Sequence, residues 1–365
     1  MASKKIVVVL DGVSENIYPT TLQLAKTPNL DYLVSKSECY KTEFVYKTQS
    51  VASDVANMNI LGYDSLKYYH GRAGIEAWTI KKPINDKNIY RMNFVTVEND
   101  ILKDFSSEII NDEQGQVIFD IIQDKIKNID IAFIEKYHHL LFDTNKEILK
   151  LEPPHEIMNQ NIKNIFEIEH PLIDLMKESK ELLKDQQSNM IYIWGASIKN
   201  SLPDFLETNK LKGAMISATP LVKGLGLMCN LDILDVVNIN GTHKSNFHGK
   251  IETTLKALNK YDYVFLHIEA LDYVSHLGDK ELKIATLEII DNSLKPLLAL
   301  ENVDILVTSD HHALTQTKAH ERGNVPAFIY NSTNKVNNDI SFDEKQFSKL
   351  PFTTAKQLIK KFLKR

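Results

Sequence analysis

Apolar residues in this chain occur in two patterns: short unbroken runs, and longer stretches where they recur every three or four positions. The first run, residues 5–10, is β-branched after its lysine and stops at Asp11-Gly12. An uninterrupted apolar strand is buried on both faces, which is the pattern of a parallel sheet covered by helices. Similar runs lie at 189–194, 261–268, 303–308 and near 325–330, with helical periodicity at 250–258 and 280–298. Residues 356–365 read as a C-terminal amphipathic helix with cations near its negative pole. Strands alternating with helices predict an α/β fold: a mostly parallel sheet with helices on both faces and ligands beyond the carboxyl ends of its strands.

Between about 83 and 186 the pattern changes. The segment is rich in Lys, Asp, Asn and Ile, with strand candidates at 91–97 and 139–142, a helix at 113–127, a Pro153-Pro154 break and an amphipathic helix at 172–184 that leads back to the main sheet. The chain has 365 residues, about twice a usual domain length of roughly 100–200. The two observations together predict a discontinuous core, 1–82 with 187–365, and a small inserted α+β domain, 83–186.

Composition narrows the function by exclusion. Lys+Arg of 43 against Asp+Glu of 48 leaves a net charge of -5, with no global reason to bind nucleic acid or an anionic membrane. Only Arg72, Arg91, Arg322 and Arg365 are arginines. Cys39 and Cys229 are too few for a disulfide framework and fit a reducing compartment. Residues 6–10 are too short for a signal h-region or a membrane span, so a cytoplasmic location is expected.

The polar residues that follow the strands carry the candidate chemistry. Asp11 follows the first; Asp272 and His276 follow the third; Asp310 and His311 follow the fourth, with His320 nine residues on. Carboxylates and imidazoles on one rim suit Zn²⁺, Mn²⁺ or a similar divalent ion. Ser53 precedes a helix-compatible run, which suits a helix N-cap but equally a nucleophile, since a helix N-terminus offers free N–H groups to a phosphate. No Gly-x-Ser-x-Gly elbow offers a triad instead.

With these motifs in view, the chain resembles cofactor-independent phosphoglycerate mutase of the archaeal type, in the alkaline phosphatase superfamily of metalloenzymes. The likeness covers most of the chain: Val9-Leu-Asp-Gly-Val13, Ala25-Lys-Thr-Pro-Asn29, Ser53-Asp-Val-Ala-Asn57, Ile60-Leu-Gly-Tyr-Asp64, Lys67-Tyr-Tyr-His-Gly-Arg72, Arg91-Met-Asn-Phe-Val-Thr96, Pro153-Pro-His-Glu156 and residues 211–226. His267-Ile-Glu-Ala-Leu-Asp272, His276-Leu-Gly-Asp279, Ser309-Asp-His311 and His320 follow in the family's order. The resemblance implies that Ser53 is phosphorylated during interconversion of 3- and 2-phosphoglycerate. It also implies two divalent ions (Mn, Zn, Co or Mg) and no 2,3-bisphosphoglycerate. Asp11, Ser53, Asp310 and His311 would hold one ion, and Asp272, His276 and His320 the other. Lys223 would reach the transferring phosphate, and the inserted domain would act as a lid over a small phosphorylated three-carbon acid.

The sequence departs from the family pattern at the substrate end. His138 stands where an arginine is expected, and Arg72, Arg91 and His155 are left as the best further substrate contacts. His312 follows His311 where a smaller residue is usual, as a spare ligand or a packed side chain. These departures keep two other readings open: a different phosphoryl-transfer enzyme of the same superfamily (a homoserine-kinase-like relative or a phosphomonoesterase) and a non-catalytic binding protein.

Overall fold

The structure is a computed structural model that describes residues 3–80, 87–105, 111–127, 129–134, 137–333 and 336–365. The chain divides into two compact units, Met1–Tyr69 with Ser201–Arg365, and His70–Asn200.

The first unit is built on an eight-stranded sheet in the spatial order Phe352–Thr354, Ser37–Glu43, Val325–Asn331, Val303–Thr308, Lys4–Leu10, Tyr263–Ile268, Gly213–Ile216, Asp232–Ile233. Lys4–Leu10 runs parallel to both neighbours, with Val9 opposite His267 on one side and Thr308 on the other. This is the expected α/β core with a mostly parallel sheet. Its flank differs: Val325–Asn331 runs antiparallel to Val303–Thr308, and Ser37–Glu43 antiparallel to Val325–Asn331. Ser37–Glu43 reads Ser-Glu-Cys-Tyr-Lys-Thr-Glu, too polar to register as an apolar run.

Alternation along the first strand explains the layers. Ile6, Val8 and Leu10 pack with Leu30 and Leu33 of helix Pro28–Ser35, Phe247 and Ile251 of helix Phe247–Ala257, and Leu287, Ile290 and Leu294 of helix Lys280–Leu294. On the opposite face Lys5 Nζ lies 5.5 Å from the centre of the Phe362 ring of helix Ala355–Leu363. That helix packs on Ser53–Ile60, which packs on Pro220–Met228. Each fully buried aliphatic side chain in these layers contributes about 1.5–3 kcal/mol. Among the described residues no helix is long and apolar enough to cross a membrane. Cys39 and Cys229 are free thiols.

The second unit is a five-stranded antiparallel sheet. Its longest strand, Asn88–Glu98, lies between Met190–Ile198 and His138–Asp143. Helices Asp112–Lys125 and Pro171–Leu182 supply Ile118, Phe119, Ile122, Leu172, Ile173 and Met176 to its core.

Two sequence expectations change here. The run at 189–194, expected in the parallel core sheet, pairs antiparallel with Asn88–Glu98. The helix expected at 172–184 packs on Met190–Ile198, the strand that holds this run, and does not lead to the core sheet. An apolar run records burial on two faces and says nothing about which sheet provides it. The expected boundary at 83 falls in 81–86, outside the described residues; the one at 186 falls inside the second unit, which continues to Asn200.

Candidate metal centre

The first unit gathers its candidate ligands because several strand ends close on one glycine. Asp11 and Gly12 follow Lys4–Leu10, and Gly12 has φ +65, a conformation that side-chain-bearing residues rarely adopt. A Cβ at Gly12 would lie 2.8 Å from both the Asp272 Cα and the Ala313 Cβ, so only glycine lets these segments meet. The Gly12 N–H donates to Asp310 Oδ1 at 3.1 Å, joining the first and fourth strand ends. Asp272 and His276 lie one turn apart on helix Ala270–Leu277, on one face. His311 precedes a hairpin, His312–Leu314 with Ala319–Glu321, whose register sets His320 opposite Ala313.

The side chains converge in two groups. Asp11, Asp310 and His311 offer ligand atoms all within 4.8 Å of one another, as do Asp272, His311 and His320. His311 Nε2 lies 3.3 Å from Asp310 Oδ2 and 3.7 Å from Asp11 Oδ1. In the second group His320 Nε2 lies 2.9 Å from Asp272 Oδ1, and His276 Nε2 lies 3.5 Å from Asp272 Oδ2 and 3.0 Å from His320 Nε2. Burial, and then Asp310 and Asp272, push the Asp11 carboxyl well above its usual range. Burial works the same way on Asp272, but His320 and His276 outweigh it and hold that carboxyl low.

The orientation of the imidazoles tests whether cations fit here. His276 Nδ1 lies 2.9 Å from the Lys318 carbonyl, His311 Nδ1 3.3 Å from the His312 carbonyl, and His320 Nδ1 3.3 Å from the Val51 carbonyl. A carbonyl only accepts, so each Nδ1 carries a proton, which leaves Nε2 as the ring atom that faces the carboxylates and would meet an ion. Metal-bound histidines are held in this way. Asp11 Oδ1 is buried without a hydrogen-bond partner among the described residues, which is costly unless a cation or donor meets it. Oxygen and imidazole donors at this spacing suit a divalent ion.

Ser53 is the first residue of helix Ser53–Ile60. The cap position belongs to Ala52, which makes no side-chain cap bond. The Ser53 hydroxyl instead lies 3.1 Å from His311 Nε2. Asn57, one turn later, donates to the Ser53 carbonyl at 2.9 Å and to Asp310 Oδ2 at 3.3 Å. Lys223 lies on helix Pro220–Met228, which packs against the Ser53 helix.

The remaining candidates converge within the second unit. Glu76 is buried, and its carboxylate lies 3.2 Å from Arg72 Nε, 3.1 Å from Arg91 Nε and 3.9 Å from His138 Nε2. Arg91 stacks over Trp194 at 4.9 Å, and the His155 ring meets Trp194 edge-on at 6.0 Å. Burial, then Arg91 and Arg72, push the His138 pKa well below the usual imidazole value.

His312, which departed from the family pattern, and Arg322 have structural places. His312 does not join the ligand groups: its ring packs against Gly323, where a Cβ would come 2.3 Å from Nε2. Burial lowers its pKa to about 4. Arg322 pairs with Glu43 and donates to the carbonyls of Val45, Tyr46 and Gln49, stitching the segment before Ser53. Sequence reasoning assigned no role to Asn57, Glu76, Trp194, His267, Glu269 or Lys250. The available signals were that Asn57 ends the Ser53 motif and that His267 and Glu269 lie inside the Asp272 motif.

A metalloenzyme superfamily model matches residues 3–361. A Methanothrix thermoacetophila protein named 2,3-bisphosphoglycerate-independent phosphoglycerate mutase is 33% identical, over 93% of this chain and 94% of its own. A probable enzyme of that name from Geobacter sulfurreducens is 29% identical, over 93% and 94%. Among solved structures, a Pyrococcus horikoshii protein superposes with a TM-score of 0.81 at 23% identity, covering 100% of this chain and 98% of its own. Cofactor-independent phosphoglycerate mutase from Thermoplasma acidophilum does so with a TM-score of 0.62 at 22% identity, covering 99% of both. At these identities the superpositions speak for the fold.

Proposed function

The chain belongs to the metalloenzyme superfamily and, within it, to the 2,3-bisphosphoglycerate-independent phosphoglycerate mutases, and from that membership we propose that it interconverts 3-phosphoglycerate and 2-phosphoglycerate. The observation that carries the mechanism is Ser53, whose hydroxyl caps no helix and lies 3.1 Å from His311 Nε2. Two divalent ions, one held by Asp11, Ser53, Asp310 and His311 and one by Asp272, His276 and His320, would supply Lewis acidity and offset the charge of the phosphoryl group.

Ser53 Oγ forms a bond to phosphorus as the bond from phosphorus to O3 of the substrate breaks, and the serine proton passes to O3, leaving phosphoserine and glycerate. The 2-hydroxyl oxygen of glycerate then bonds to phosphorus as the Oγ–P bond breaks, and the proton it gives up returns Ser53 to a hydroxyl. The N–H groups at the start of helix Ser53–Ile60 and the Lys223 ammonium favour the negative phosphoryl oxygens. Asn57 steadies Asp310 and the first helical turn through its two donor contacts. Arg72, Arg91, His138 and His155 bind the substrate's carboxylate and phosphate. Arg72 and Arg91 bring permanent positive charge to an anion, and a neutral His138 offers a hydrogen bond where arginine would offer a permanent charge. The second unit serves as the lid that retains glycerate. The two free thiols fit a cytoplasmic setting.

The test is a coupled assay on protein reconstituted with Mn²⁺, Co²⁺, Zn²⁺ or Mg²⁺, supplied with 3-phosphoglycerate and no bisphosphoglycerate. The expected result is formation of 2-phosphoglycerate with at least one ion. No conversion with any of the four would overturn the proposal.

A further inference from the structure

The reaction above uses Asp11 but not the row of buried charged groups behind it. Lys250, on helix Phe247–Ala257, and Glu269, just past strand Tyr263–Ile268, are 0% and 4% exposed and form an ion pair. Burying such a pair is costly unless its remaining donors and acceptors are satisfied. Here they are. Lys250 Nζ also donates to the His267 carbonyl at 2.8 Å, while Glu269 Oε1 accepts from Ser217 Oγ at 2.8 Å and from the Ala218 N–H at 2.5 Å. The carboxylate is therefore fixed from several elements at once.

The row continues toward the metal ligands. Glu269 Oε1 lies 3.3 Å from His267 Nδ1, and His267 Nε2 lies 3.1 Å from Asp11 Oδ2. His267 is fully buried and faces Val9 across the parallel pair, one pleat before Asp11. The two oxygens of Asp11 thus have different surroundings: Oδ2 faces His267 Nε2 as an ion-pair contact rather than an aligned hydrogen bond, and Oδ1, buried without a hydrogen-bond partner among the described residues, faces His311 Nε2 at 3.7 Å.

We propose that His267 is a positioning residue: backed by Glu269 and Lys250, it holds Asp11 by Oδ2 and keeps Oδ1 turned toward the divalent ion. The assignment rests on the reading of Asp11 as a metal ligand, and its test separates the two. Metal-free wild type and variants are titrated with Mn²⁺ by calorimetry, with thermal melts of the metal-free proteins alongside. His267→Phe fills the ring's volume without a donor and should weaken binding by about 10–100-fold, the usual cost of losing a partner that orients a ligand. His267→Gln, whose amide nitrogen can take the place of Nε2, should recover most of that affinity.

Wild-type Mn²⁺ affinity in a His267→Phe protein that melts like the wild type overturns the proposal. If His267→Phe does not fold, His267→Asn, too short to reach Asp11, takes its place and is read the same way. Asp11→Asn is the control on the premise. If it too leaves Mn²⁺ binding untouched, Asp11 is not a ligand, and the proposal falls with that reading. If Asp11→Asn abolishes binding while both His267 variants bind normally, only the positioning role falls.

Discussion

In the first unit His320 lies 2.9 Å from Asp272, and although burial would lower its pKa, that carboxylate lifts it to about 9. In the second unit His138 lies beside Arg91 and Arg72, and burial together with those cations pushes its pKa well below the usual imidazole value. His139 goes the same way, buried among Phe94, Phe119 and Phe133 with ring centres 4.4, 5.0 and 4.8 Å away. Burial lowers the pKa of all three rings, and at His320 alone among them a neighbouring carboxylate outweighs it. The first unit concentrates carboxylates and so calls for cations. The second sets the guanidiniums of Arg72 and Arg91 on Glu76, among the substrate contacts proposed above. The comparison predicts a division of labour, with phosphoryl chemistry in one unit and substrate holding in the other.

The largest effect should come from Ser53→Ala, which removes the nucleophile. Mutase activity in the coupled assay should fall by roughly 10⁴-fold or more, as when the nucleophile of a concerted catalytic group is lost. Activity within tenfold of wild type would remove the chemistry from the first unit.

Next in size is Lys283→Met. Lys283 and Glu15 are fully buried partners at 3.1 Å, and Lys283 also donates to the Ala313 carbonyl at 2.9 Å beside the metal hairpin. Leaving Glu15 buried and unpaired should cost about 3–5 kcal/mol in urea denaturation. The double change with Glu15→Leu should recover much of it.

Arg91→Met addresses the second unit. Loss of charge-assisted hydrogen bonds to an anion, about 1.5–3 kcal/mol, corresponds to a fall in kcat/KM of roughly 10–150-fold, carried mainly by KM. Mn²⁺ affinity measured calorimetrically should not change. An equal loss of metal affinity would break the division between the units.

The smallest effect concerns pH. Since His138 and His139 bind protons less readily folded than unfolded, the unfolded chain carries more protons, and stability rises with pH. Their contribution is complete above the ordinary histidine value near pH 6.5 and is lost as pH falls below it, by about 1.4 kcal/mol per pH unit for each proton. Hydrogen-exchange protection factors in the strand His138–Asp143, which remove the intrinsic pH dependence of exchange, should therefore fall between pH 6.5 and 5. Both nitrogens of the His139 ring lack hydrogen-bond partners among the described residues. His139→Phe should accordingly flatten this dependence by one proton's worth; an unchanged slope would show that His139 does not titrate on folding.

Much of this arrangement was legible along the chain because it is local. A carboxylate or imidazole just past an apolar run marks a strand end, and Asp11, Asp272, His276, Asp310 and His311 were found that way, with His320 nine residues further on. Arg72, Arg91, His138 and His155 stood out through motif and the scarcity of arginine. Glu76 did not, since an acid in a helical stretch has the same pattern whether it faces solvent or gathers two guanidiniums. Strand Ser37–Glu43 was missed for a related reason: pairing satisfies its backbone, and its side chains carry no apolar signature.

The sequence by itself determined the α/β core, the order of the ligand residues and the serine that precedes a helix, because periodicity and strand-end chemistry depend on near neighbours. Only the tertiary structure decided that 189–194 belongs to the antiparallel sheet, that His312 packs on Gly323, and that Lys250, Glu269 and His267 line up behind Asp11. Each of these depends on contacts between distant segments, and burial and charge at such contacts are set by what the partner segment brings.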